Sequence, residues 1–146
     1  MAREAASELP GVDVVTIPVA DGGEGTVKAF VSATGAEPVT IDVTGPYSDT
    51  VVSATYAKKG YTAVIEMAST CGLTLLESLG REKNPFKTTT YGTGELILDA
   101  LESGCINILL GLGAVPPMTA DAVVPLRSIP GFMTKTEQSS SPWEER

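Results

Sequence analysis

The chain has 146 residues, 42% of them hydrophobic and 19% charged, a composition that belongs to a globular domain and not to a disordered polymer. A formal charge of −8, with no basic run, excludes a protein that tracks nucleic-acid phosphates or binds anionic lipid. The lack of any histidine excludes a histidine general base and a histidine-ligated zinc, so chemistry must rest on carboxylates, hydroxyls, Lys, Arg and backbone amides.

No apolar run is long enough to span a bilayer, and the stretch MAREAASELPG has no apolar segment of the secretory type. Cys71 and Cys105 stand in no CxxC spacing and read as reduced thiols facing a core. A cytoplasmic protein is the expectation.

In chain order, VDVVTIPV (Val12 to Val19) is a β-branched run before a glycine pair and predicts a strand. GGEGTVKAFVSATG places Val27, Phe30 and Val31 at helical spacing and ends on Gly35, which predicts a helix with a glycine stop. EPVTIDVTG alternates Val39, Ile41 and Val43 inward as a strand. SDTVVSATYAKKG predicts the next strand, with Gly45-Pro46 and Lys59-Gly60 as turns around it. Tyr61 to Ala68 predicts a third strand.

STCGLTLLESLG reads as one short helix with Leu73, Leu76 and Leu79 in a stripe, and Pro85 interrupts the polar connector behind it. TGELILDALESG is a clear helix: Thr93 is placed as N-cap, Glu95 in the first turn, Gly104 as the stop, and Leu96, Ile97, Ala100 and Leu101 as the buried face. CINILLGLG is nearly all apolar, the pattern of a strand in the middle of a parallel sheet. Beyond Ala114 the periodicity fails, five of the ten prolines gather, and the composition becomes that of a linker or disordered tail.

Two joints could carry chemistry. In ADGGEGT, between a strand and a helix, backbone amides and the helix dipole favour an anion, whereas Asp21 and Glu24 suit Mg²⁺ or a substrate hydroxyl. Tight strand–helix packing explains the same glycines. KTTTYGTGE supplies the hydroxyls of Thr88, Thr89, Thr90 and Thr93 with Gly92 and Gly94, enough to hold a carboxylate or phosphate, or simply a capped helix beside a polar loop. Glu66 closes an otherwise apolar strand, where a carboxylate is either functional or exposed.

Taken together, PVADGGEGT, VTGP, IEMASTCGL, TTTYGTGELILDALESG and INILLGLG resemble the bacterial glycerate kinases that phosphorylate D-glycerate with ATP. The resemblance runs from about Glu8 to Gly113. It implies an α/β fold, a Rossmann-like domain into which a second α/β domain is inserted, only partly present here. It also implies ATP and Mg²⁺ as cofactors, D-glycerate as the small-molecule partner, and no nucleic-acid or membrane partner. Asp21 and Glu24 become candidates for catalysis, with Asp21 on the metal. Gly22, Gly23, Glu66, Thr89, Gly92, Thr93 and Gly94 become candidates for phosphate or substrate binding.

Departures from the family pattern bear on activity. Cys71 and Tyr91 replace residues of other kinds, and the family's IAPDSFKxSLSA strand and loop do not appear before ELPGVDVV. After GLG the family continues GSATNDGG, where this chain has AVPPMTAD; codons for the former, read one base later, encode the latter. With suitable codons the same shift is compatible with FMTKTEQSSSPWEE, Phe132 to Glu145, standing for a family-like YDQDGAELIPVGG. Residues 1–113 are therefore read as a partial glycerate kinase domain and 114–146 as an out-of-frame, disordered tail, with little kinase activity expected of the chain by itself. The competing expectation is a non-catalytic α/β module that binds a nucleotide or a partner, or a remnant without function.

Overall fold

A computed structural model of the chain describes residues 15, 17–81, 84 and 87–113. The tail from Ala114, Pro85, and Val12 to Val14 with Thr16 lie outside the described residues. The described elements are α1 (Thr26–Thr34), β1 (Glu37–Thr44), β2 (Val51–Lys59), β3 (Thr62–Glu66), α2 (Ala68–Cys71), α3 (Leu73–Ser78), α4 (Tyr91–Glu102) and β4 (Asn107–Gly111).

They form an α/β domain around one sheet of order β1-β2-β3-β4. β1 and β2 make an antiparallel hairpin, β2 and β3 are antiparallel, and β3 and β4 run parallel. The alternation of Val39, Ile41 and Val43 works as expected. These side chains join Ala54, Tyr56, Ala63 and Ile65 on one sheet face, under Leu96, Ala100 and Ile97 of α4. Ala57 and Val64 point to the other face and pack against Val27, Phe30 and Val31 of α1. Each helix therefore covers one face, the arrangement that buries a sheet on both sides.

The pairing puts the carboxyl ends of β1, β3 and β4 at one edge of the sheet, with the start of β2. Thr26 of α1 and Tyr91 of α4 begin their helices at that edge. At the opposite edge, the Lys59 ammonium donates to the Thr34 carbonyl at the end of α1. The Lys58 ammonium likewise donates to the Ser103 carbonyl just beyond α4 at 2.6 Å. Positive charge thus sits where the helix dipoles end, and the other sheet edge is left to their amide ends.

Four expectations are corrected by the structure. The described part of Val12–Val19 is not in a strand: Val15, Ile17 and Val19 are exposed and make no ladder hydrogen bonds. β-branched composition is not sufficient without a strand to pair with. The run STCGLTLLESLG is two helices, broken at Gly72, which is extended (φ −65°, ψ 159°) and lies so close to Ala68 that a Cβ would overlap its carbonyl oxygen. Of its four leucines only Leu76 is buried. α4 begins at Tyr91, before Thr93, so Thr93 is not its cap. Among the described residues β4 lies at the edge of the sheet, not in the middle, and leaves Leu109 and Leu110 exposed, with Ile106 and Leu112 beside it.

Candidate functional site

The glycine-rich joint is built by close packing against the end of β4. Gly22 and Gly25 have φ of 95° and 92°, which only glycine adopts without strain. The Gly113 N–H donates to the Gly22 carbonyl at 3.0 Å. A Cβ on Gly111 would overlap that same oxygen, and one on Gly113 would come within 2.6 Å of the Gly23 nitrogen. Gly111 and Gly113 are therefore required by the close approach of the DGGEG turn, whereas Gly22 and Gly25 are required by their backbone conformation. Inside the turn, Asp21 Oδ1 accepts the Gly23 N–H at 3.1 Å, and the Thr26 hydroxyl donates to the Gly23 carbonyl at 2.7 Å.

Glu66, at the end of β3, is not exposed: only 8% of its surface is accessible. Its Oε2 accepts the N–H of Val27 at 2.9 Å, 39 residues away in sequence. Val27 lies in the first turn of α1, whose own N-cap, Gly25, offers no side chain. The carboxylate supplies the missing acceptor, and the helix dipole favours its charge there.

The second motif is tied in the same manner. Glu95 Oε2 accepts the N–H of Thr44, the last residue of β1, at 2.6 Å. Gly92 sits against Thr44 so closely that a Cβ would overlap the carbonyl oxygen. Thr93 and Thr70, both buried, share a hydroxyl–hydroxyl hydrogen bond of 2.6 Å that joins α4 to α2. Beneath them, burial pushes the Cys71 thiol above its usual range, against the hydrogen bonds of Thr70 and Thr93, so it stays a thiol at neutral pH. Thr89 is half-buried: its N–H donates to the Pro46 carbonyl at 2.9 Å and its hydroxyl accepts the Tyr91 N–H at 3.1 Å.

All of these residues sit at the same sheet edge. Two adjoining clefts of about 380 Å³ each open there over the face that carries α1, and share Ser53, Glu66 and Ser69 in their walls. One continues to Lys28, Val31 and Thr55, and the other to Glu24, Thr74 and Ser78. Glu24 Oε2 accepts the Thr74 hydroxyl at 3.1 Å, so the glycine loop forms the rim of the second cleft. Glu24 and Glu66 line the clefts directly, whereas Thr93 and Gly94 are buried in α4, which packs on the other sheet face, and Thr89 and Gly92 pack toward the β1–β2 turn. Sequence reasoning missed Ser53, Ser69 and Thr74. Only the strand alternation that turns Ser53 away from the Ala54 and Tyr56 face pointed to the first of them.

Chemically, this edge offers carboxylates, hydroxyls and, among the described residues of the cleft walls, one cation, Lys28. Among the described residues no three His, Cys, Asp or Glu side chains converge into a metal cage. Asp21 and Glu24 are two hard oxygen donors on one loop, the number Mg²⁺ takes from a protein when phosphates and water complete its shell. No helix of the described residues is long and apolar enough to cross a membrane.

Comparison with known proteins places these loops in context. The glycerate kinase family model matches residues 1–123. The chain is 48% identical over 106 residues to glycerate 2-kinase of Escherichia coli K12, covering 72% of this chain and 27% of that protein. It is 46% identical over 107 residues to a glycerate kinase of Halalkalibacterium halodurans, with the same coverage of both. A crystal structure from Salmonella typhimurium LT2, assigned provisionally as glycerate kinase 2, superposes with a TM-score of 0.60 at 42% identity, over 75% of this chain and 29% of that one. The chain thus spans little more than a quarter of the length of the relatives it matches.

Proposed function

The chain belongs to the glycerate kinase family, and from that premise we propose that it is a segment of a kinase that transfers the γ-phosphoryl group of ATP to a hydroxyl of D-glycerate. The hydroxyl loses its proton, the new P–O bond forms, and ADP leaves. The observation that carries this reading is the convergence at one sheet edge: the loops of DGGEGT, VTGP, IEMAST and GTGELI interlock through Glu66 and Glu95 around clefts rich in hydroxyls.

Phosphoryl transfer asks little covalent chemistry of a protein and much positioning and charge neutralisation. Asp21, with Glu24 beside it, would hold Mg²⁺, which supplies the neutralising charge on the phosphates. Glu24 also stands where a substrate hydroxyl would enter the second cleft. The amide of Gly22, in the loop ahead of α1, suits the phosphates, while the Gly23 N–H is held by Asp21; Thr89, Gly92, Thr93 and Gly94 support the edge from the side of α4. Among the described residues Lys28 is the single cation on the cleft walls, so these residues by themselves neutralise little of the triphosphate charge, and low turnover is expected of the segment alone.

A hybrid enzyme tests the proposal. Residues 17–113 replace their counterpart in the Escherichia coli relative, and ATP-dependent phosphorylation of D-glycerate is measured. Turnover within about tenfold of the parent is the expected result, a change of about 1.4 kcal/mol in the barrier. A hybrid that folds and binds neither substrate would end the reading.

A further inference from the structure

Glu66 is the one carboxylate that lines both clefts, and that position alone would make it a candidate to touch substrate. Its partners argue for a different task. We infer that Glu66 is a positioning residue: its carboxylate fixes the first turn of α1, and through it the Asp21–Gly25 loop, instead of binding substrate itself. The inference uses the kinase reading only for what the loop does; the holding contact stands without it.

Three observations support this. The side chain is buried, and a buried carboxylate is costly unless its oxygens have partners, which here is the Val27 N–H at 2.9 Å. The helix it caps has no cap of its own, since Gly25 carries no side chain and no acidic residue lies in the first turn. The loop leading into that turn has little else to hold it. Its internal bonds are the Asp21 to Gly23 contact and the bonds from Thr26 to the Gly23 carbonyl. Outside itself it is fixed by Gly113 and by Thr74. Glu66 is also anchored from behind, because the Ser69 hydroxyl donates to its carbonyl at 2.8 Å and the Met67 N–H to the Gly111 carbonyl at 3.0 Å. The carboxylate therefore connects the end of β3, itself tied to β4 through Met67, to the start of α1. Shift it by one methylene and the first turn of α1 loses this tie to the sheet, leaving the loop to its contacts with Gly113 and Thr74.

The test is amide hydrogen exchange on the 146-residue chain with Glu66→Gln, Glu66→Ala and Glu66→Asp. Gln keeps an acceptor oxygen at the same reach, Ala removes it, and Asp keeps the charge but withdraws it. Exchange at Val27 should rise by roughly tenfold or more in Ala and Asp and stay within roughly threefold of the original in Gln. The amides of Tyr56 and Ala57 in β2 should keep their rates in all three, which a general loss of stability would not allow. If Ala does not fold, Asp decides. Unchanged exchange at Val27 in Ala or Asp, or a Gln variant as fast as Ala, overturns the inference.

A second arm uses the hybrid enzyme described above. With Gln, the affinity for D-glycerate should stay within roughly threefold, because an acceptor still holds the loop. A Gln variant that loses D-glycerate while Val27 stays protected would make Glu66 a substrate ligand and also overturn the inference. A hybrid that never binds D-glycerate refutes the kinase reading, and the exchange rates then decide the role of Glu66.

Discussion

Glu95 and Thr44 are 51 residues apart in sequence, yet Glu95 Oε2 accepts the Thr44 N–H at 2.6 Å. The bond joins the first turns of α4 to the last residue of β1 and completes a hydrogen bond that no strand supplies there. Both ends are half-buried. Glu95→Ala should therefore cost about 1.5–3 kcal/mol, the range for hydrogen bonds to charged groups, with Glu95→Gln recovering part of it. Denaturant unfolding monitored by circular dichroism checks this; equal midpoints for all three proteins would show that the contact adds nothing.

Beside that bond, Gly92 lies against the same residue. Because a Cβ at position 92 would overlap the Thr44 carbonyl oxygen, which is backbone and cannot swing away, Gly92→Ala should be far worse than a usual glycine replacement in a helix. We expect a loss of more than about 3 kcal/mol, or failure to fold. Gly80→Ala is an instructive contrast: no atom lies within 4 Å of its built Cβ, and only the φ of 62° penalises it. Comparable stability of the two variants would contradict the packing described.

Alkaline pH should weaken the fold through Tyr56. Burial, followed by the neighbouring Asp99, pushes its phenol above the usual value of 10.0, while Ser103 opposes. Its hydroxyl donates to Asp99 Oδ2 at 2.8 Å. A raised folded value means that the native state holds the proton more tightly. The contribution is present below pH 10 and is lost as pH rises through the shifted value. Stability measured from pH 8 to pH 12 should fall at the alkaline end, and Tyr56→Phe should remove that component while costing about 1 kcal/mol at neutral pH. An alkaline slope unchanged in Tyr56→Phe would assign it to another group.

The open side of β4 has a physical consequence. Among the described residues no strand pairs with it, and Leu109 is 56% exposed beside Ile106 and Leu112. An unpaired apolar edge without lysine or proline is a template for another strand. The chain should self-associate as its concentration rises, and Leu109→Lys should suppress this without lowering the melting temperature. Light scattering with a thermal melt reads both; equal scattering from the two proteins would place the association elsewhere.

How much of this could be read from the sequence depends on the range of the interaction. β1 and β2 were legible because Val39, Ile41 and Val43 alternate and the turn residues flank them, and α1 was legible because Val27, Phe30 and Val31 repeat at helical spacing. These are local signals. The Val12–Val19 run carried a local signal too, but a strand exists only through its neighbour. Thr93 had the chemistry of a cap and instead bonds Thr70, because two more residues at its front, Tyr91 and Gly92, are helical. The roles of Glu66 and Glu95 were invisible in the pattern: each is settled by an amide tens of residues away. The glycines of DGGEG left a ligand loop and tight strand–helix packing both open, and the structure adds that Gly111 and Gly113 of GLG leave no room for a Cβ against Gly22 and Gly23.

The most direct measurement is the turnover of the hybrid enzyme carrying Asp21→Ala, beside a control with Asp49→Ala, whose carboxylate pairs with Arg81 on the surface. If the glycine loop holds the metal and substrate hydroxyl, Asp21→Ala should lower turnover with ATP and D-glycerate by about 100-fold or more, and Asp49→Ala should leave it within about threefold. Undiminished turnover in Asp21→Ala would contradict the account at its centre.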